Sequence, residues 1–199
     1  MAYGVVHTSN LSGCGCYNFY NAETDIENGS LVTKGDLVED ERDIYTCAAP
    51  ATATLATAPV FLVANPAWSY DTSKVTNQNE DEFVNKKGRA FRVYELKPYK
   101  RFRVSVNMLA GTVEVGSYVG LANGSFKGAV TKSAPTGSAF VGKIIAVDSI
   151  GFDYAVGSAG TTSGEDESAT GGVIANTEKF ALIEVIQNEA VQTASAPGA

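Results

Sequence analysis

The apolar positions of the chain come in short runs of four to ten residues, broken by Gly, Asn, Asp or Pro, and not in the 3.6-residue rhythm of helices. The runs are LVTKGDLV at 31–38, IYTC at 44–47, VFLVA at 60–64, FRVYEL at 91–96 and FRVSV at 102–106. They continue with TVEVGSYVGL at 112–121, FVGKIIAV at 140–147, IGFDYAV at 150–156 and FALIEVIQ at 180–187. Val, Ile, Phe, Tyr and Thr dominate them, residues that fit a pleated, half-buried surface. The pattern predicts an all-β fold, a small β-barrel or sandwich with an extended N-terminal arm and long surface loops. Alternation is clearest at 101–106, where Phe102, Val104 and Val106 fall on one face and Arg101, Arg103 and Ser105 on the other.

Residues 1–27 mix Gly, Ser, Asn and aromatics without a sustained period, which predicts an extended arm that finds its partners elsewhere, ahead of a β-domain at 28–189. Asn123-Gly124 predicts a two-residue hairpin turn, since both positions tolerate positive φ. The β-branched content of 180–186 favours a buried strand over a helix, and a short helix is expected near 78–86. Residues 48–58 form an Ala/Thr tract. The stretch GSAGTTSGEDESATGG at 157–172 has too little apolar surface to order itself and reads as a flexible loop; 190–199 reads as a disordered tail. No internal repeat or linker divides the chain.

The 199 residues, 44% hydrophobic and 19% charged, suffice for one real core. With 22 acidic against 15 basic residues the net charge is −7, which argues against a general binder of nucleic acid or anionic membrane. No run reaches the roughly 18 apolar residues of a membrane span, and the opening MAYGVVHTSN has neither the charged nor the apolar part of a secretion signal. Three cysteines cannot all pair within one chain, so a reduced compartment is expected, and the chain reads as cytosolically made.

Catalytic sets are missing from the sequence pattern. His7 is the single histidine, and no G-x-S-x-G elbow supplies it with a nucleophile. No phosphate-cradling G-x-x-x-x-G-K-[ST] or G-x-G-x-x-G loop is present. His7, Cys14, Cys16 and Cys47 amount to a zinc inventory, but C-x-C is too tight for a zinc knuckle and packed free thiols are the preferred reading. Asp36, Glu39, Asp40, Glu41 and Asp43 do not match an EF-hand loop and read as a solvated edge or turn. No enzyme activity, metal or cofactor is expected.

Charge concentrates instead at 86–103, KKGRAFRVYELKPYKRFR. Lys86, Lys87, Arg89, Arg92, Lys97, Lys100, Arg101 and Arg103 supply 8 of the 15 basic residues, leaving the rest of the chain 7 against 21 acidic ones. Two strands joined near Pro98 would display Arg101 and Arg103 on a polar face. Three readings stay open: neutralisation of carboxylates within the chain or in neighbouring copies, an acidic partner protein, and a single-strand nucleic-acid platform using Phe91, Tyr94, Tyr99 and Phe102.

The runs GTVEVGSYVGLANGSFKGAV, AFVGKIIAVDSIGF and FALIEVIQ resemble tailed-bacteriophage capsid decoration (cement) proteins. In that family a strand reading G-x-V-x-x-G opens a small β-barrel, a Val/Gly-rich strand follows and a final apolar strand closes the domain. The resemblance covers 111–187 and extends to 28–64, where NGSLVTKGDLV at 28–38 echoes the same opening. It implies a non-enzymatic virion protein on the capsid exterior that binds the major capsid protein and itself, as a dimer or trimer, and stabilises the head, without membrane or nucleic-acid partners. The docking residues expected on that reading are the eight cations above with Tyr17, Phe19 and Tyr20 of the arm. The alternatives are a tail or head-fibre component and a carbohydrate-binding β-sandwich, for which Trp68 beside Tyr70 is the one tryptophan candidate.

Overall fold

The computed structural model describes residues 3–67, 80–151, 154–156, 172–174 and 177–191. Regular structure there is strand, apart from the 3-10 turns Glu80–Glu82 and Val106–Met108. The strands are β1 (Val6–His7), β2 (Cys16–Tyr20), β3 (Leu31–Leu37), β4 (Ile44–Ala48), β5 (Val60–Val63), β6 (Ala90–Glu95) and β7 (Arg101–Ser105). They continue as β8 (Leu109–Ala110), β9 (Tyr118–Gly120), β10 (Gly128–Thr131), β11 (Phe140–Gly151), β12 (Tyr154–Val156), β13 (Gly172–Ile174) and β14 (Thr177–Asn188). The chain is all-β, as its patterning predicts.

Five strands close a barrel in the order β2-β4-β3-β5-β6, with β6 returning to β2. Seven form a sheet in the order β1-β7-β14-β11-β9-β10-β8, and β12 pairs with β13. The barrel strands serve two cores. Phe19, Val32, Cys47, Val63, Phe91 and Val93 form the inner cluster. The alternate residues Leu31, Val60 and Leu62 pack outward against Phe102, Val104, Val119, Phe140, Ile144 and Ile183 of the sheet. A strand buried on both faces needs apolar residues in succession, which is why β5 reads VFLV without alternation.

The expected N-terminal arm is not an arm. β2 lies between β4 and β6, with Phe19 opposite both Tyr45 and Phe91, so its two edges are occupied within the chain. β1 pairs with β7, Val6 opposite Val104. The segment lacks a period because only Phe19 of β2 is buried.

Further expectations need correction. GTVEVG at 111–116 is not a strand: Gly111 and Gly116 take φ of 119° and 90°, breaking the extended backbone, and only Tyr118–Gly120 of the run pairs. The small barrel that the resemblance implies for 111–187 is an open sheet there, and the closed barrel belongs to 16–95. β9 and β10 do form a hairpin, but its last pair is Gly120 with Ala129, giving a longer connection than two residues. The loop is held by its neighbours: Thr52 N–H donates to Asn123 Oδ1 at 2.8 Å and Gly124 N–H to the Pro50 carbonyl at 2.7 Å. In place of the helix near 78–86, the described part holds only the 3-10 turn Glu80–Glu82. The expected loop 157–172 lies outside the described residues except for Gly172, as do Trp68, Tyr70 and the tail from 192 onward.

Candidate interaction surface

The basic segment straddles the two layers. β6 carries Arg92 on the barrel, β7 carries Arg101 and Arg103 on the sheet, and the connection between them bears Lys97 and Lys100. The alternation expected at 101–106 holds through Val104: Phe102 and Val104 are buried, with Arg101 and Arg103 opposite. Val106 leaves the strand for a 3-10 turn.

Most of these cations are engaged at home. Arg101 reaches Glu184 of the adjacent β14 at 2.7 Å, and Arg103 reaches across to Asp148 of β11, one strand further on, at 2.9 Å. Lys97 lies 3.4 Å from Glu95, and Lys100 Nζ donates to the Ser12 carbonyl at 2.8 Å. Lys86 Nζ donates to Asp25 at 2.9 Å, and the Lys87 backbone N–H donates to the other oxygen of that carboxylate at 2.9 Å. The Lys87 N–H and then the Lys86 ammonium hold Asp25 below its ordinary pKa, and Asp25 in turn raises that of Lys86. Among the described residues, the side chains of Lys87, Arg89 and Arg92 have no carboxylate within ion-pair distance. Lys86, Lys97 and Arg101 are exposed but paired, whereas Lys87, Arg89 and Arg92, on the barrel, are exposed without a carboxylate partner among the described residues.

The three aromatics of β2 separate. Phe19 is fully buried between Phe61, at a ring distance of 5.0 Å, and Tyr45, at 6.3 Å. It is a core residue and not a docking one. Tyr17 is exposed, with its ring edge on Phe61. Tyr20 is half-buried in the wall of a cleft of about 410 Å³ that Thr46, Ala48, Ala49 and Phe126 also line. This cleft has no signal in the sequence, because its walls come from three separate stretches.

His7 stacks on Phe180 at 4.9 Å, with Nε2 3.8 Å from the Glu80 carboxylate. Cys14, Cys16 and Cys47 are free, and burial pushes the Cys47 thiol up to about 11. Among the described residues, no three His, Cys, Asp or Glu side chains come together as a metal site, and no helix is long and apolar enough to cross a membrane. Asp36, Glu39, Asp40, Glu41 and Asp43 are all exposed, in the second half of β3 and the β3–β4 connection, where the sequence reading puts a solvated turn. Comparison with family models, curated proteins and solved structures finds no match.

Proposed function

We propose that the chain is a non-enzymatic structural protein of a tailed-phage particle, binding the outer surface of the assembled capsid and stabilising it. The observation that carries this reading is the placement of the segments that resemble cement proteins. Although spread over 111–187, their strands lie side by side as β14-β11-β9-β10 in one sheet. Resemblance in scattered β-turn motifs would not require neighbouring strands. The exposed cations Lys87, Arg89 and Arg92 favour an acidic partner surface. Their polar company suits a protein contact: Arg92 pairs across the strands with Asn18, and Arg89 adjoins the pair Ala90–Tyr20. Stabilisation follows from mass action, since a ligand that binds only the assembled lattice raises the free energy of pulling it apart.

The test is the copy number of this chain in gradient-purified particles from the source culture, by quantitative mass spectrometry. Decoration requires on the order of hundreds of copies, in simple ratio to the major capsid protein, because a symmetric shell repeats its docking site. A handful of copies would move the protein to the tail or a fibre. Absence from particles would overturn the virion reading.

A further inference from the structure

The two ends of the barrel differ in shape and in charge. β2 runs parallel to β4 and antiparallel to β6, so the β3–β4 connection at 38–43 caps one end and the 86–89 turn leading into β6 caps the other. At the first end the hairpin stands away from the barrel, and every residue of β3 after Thr33 is exposed. A bulge between Lys34 and Leu37 sets this course. Gly35 sits in it, where a Cβ would crowd Thr46 Oγ1. Leu37 is 46% exposed. Asp36, Glu39, Asp40, Glu41 and Asp43 surround it with Arg42 as the single cation among them, and none of the five carboxylates has an ion-pair partner among the described residues.

The opposite end is concave. It holds the cleft walled by Tyr20 and Phe126, and the 86–89 turn borders it, with the Gly88 N–H donating to the carbonyl of Asn21, a lining residue, at 2.8 Å. On the turn at the rim, Asp25 pairs with Lys86 and feels the charge of Lys87, and among the described residues neither Lys87 nor Arg89 has a carboxylate within ion-pair distance. Glu23 is the one carboxylate in the lining, and the turn's cations outnumber it.

We propose that the acidic β3–β4 hairpin of one copy docks in the basic-rimmed cleft of a second copy, head to tail. A projecting knob with an exposed Leu and an acidic collar fits a hollow with aromatic walls and a basic rim. The hairpin cannot fill the cleft of its own chain. Thr46, which lines the cleft, holds the base of the hairpin through the Asp36 carbonyl, and strands paired up to Leu37–Tyr45 carry the tip at 38–43 away from it. The contact joins two different surfaces, so repetition closes a ring when the rotation between copies allows it and otherwise extends a chain of copies. Lys87 and Arg89 belong to the surface proposed for the capsid as well, so the two contacts compete for these cations; sedimentation of the purified protein alone tests the contact between copies, and particle attachment tests the other.

Sedimentation velocity on the purified full chain tests it, over a concentration series at about 0.05 M and about 0.5 M NaCl. The expected result is concentration-dependent association at low salt that weakens roughly tenfold or more at high salt. Reversing the hairpin (Glu39→Lys, Glu41→Lys and Asp43→Lys, which with Arg42 make it net basic) or the rim (Lys87→Glu with Arg89→Glu) should each give monomers. All five sites are exposed, and circular dichroism checks that each variant is folded. Mixing the two variants, or combining all five substitutions in one chain, should restore association, because a basic hairpin then meets an acidic rim. A wild type that stays monomeric at low salt would overturn the proposal. So would association that survives either reversal, or a combined exchange that fails to restore it.

Discussion

Phe19 shows what a single side chain does for the barrel. It touches Tyr45 and Phe61 edge to face, and these pairs lock strands β2, β4 and β5 around one ring. Truncation would leave a cavity that neighbours held in closed pairing cannot fill by collapse. Phe19→Ala should therefore lower the unfolding free energy by about 3–5 kcal/mol in urea titration, whereas Tyr17→Ala, at the exposed end of the same strand, should cost well under half of that. Cys47 contributes in a different way. Its thiol, pushed from about 9 up to about 11 by burial, stays protonated in the folded chain where the unfolded chain ionises. Stability from this source is complete below pH 9 and is lost as pH rises through 9 to 11, by about 2 kcal/mol in all. Stability measured across that window should fall less steeply for Cys47→Ala than for the parent. Timed alkylation at pH 8 should label the exposed Cys16 well before Cys47.

Among the elements, those that bury a single face, or both faces, were readable from the chain. β7 alternates because one face meets the core and the other meets solvent, and β5 is uniformly apolar because it divides two cores. β2 was unreadable for the complementary reason. Its partners β4 and β6 arrive from distant positions, and closure with them, not local pattern, makes it a strand. The glycines of 111–116 misled in the opposite direction, since a Val-rich composition suits a strand while two positive φ values forbid one. Within the basic segment, composition located the cations but could not say which had partners, since Asp148 and Glu184 reach Arg103 and Arg101 only through sheet pairing. Those pairs are half-exposed and worth about 0.2–1 kcal/mol each. Arg101→Gln with Arg103→Gln should thus shift the urea midpoint slightly and leave attachment to particles unchanged. Lys87→Glu with Arg89→Glu should weaken attachment in a co-sedimentation assay, more so at low salt than at high.

At the scale of the whole molecule, the chain starts in the sheet with β1, leaves to build the entire barrel, and returns at β7. Most pairings therefore join residues far apart in sequence, Val6 with Val104 being one example. Such a topology forms slowly, because loop closure precedes any gain from pairing. Stopped-flow circular dichroism should show refolding in milliseconds to seconds, and a phase complete within tens of microseconds would contradict the topology. The position of β14 has its own consequence. It lies between β7 and β11, in the middle of the sheet, yet a ribosome makes it after both of them. On the nascent chain, the barrel strands are complete once Glu95 has emerged, while β7 and β11 wait on either side of an empty slot. Their apolar faces stay open to solvent, and to chaperones, until residues 177–188 are delivered. Insertion of this strand is the event that turns a barrel with loose attachments into one molecule.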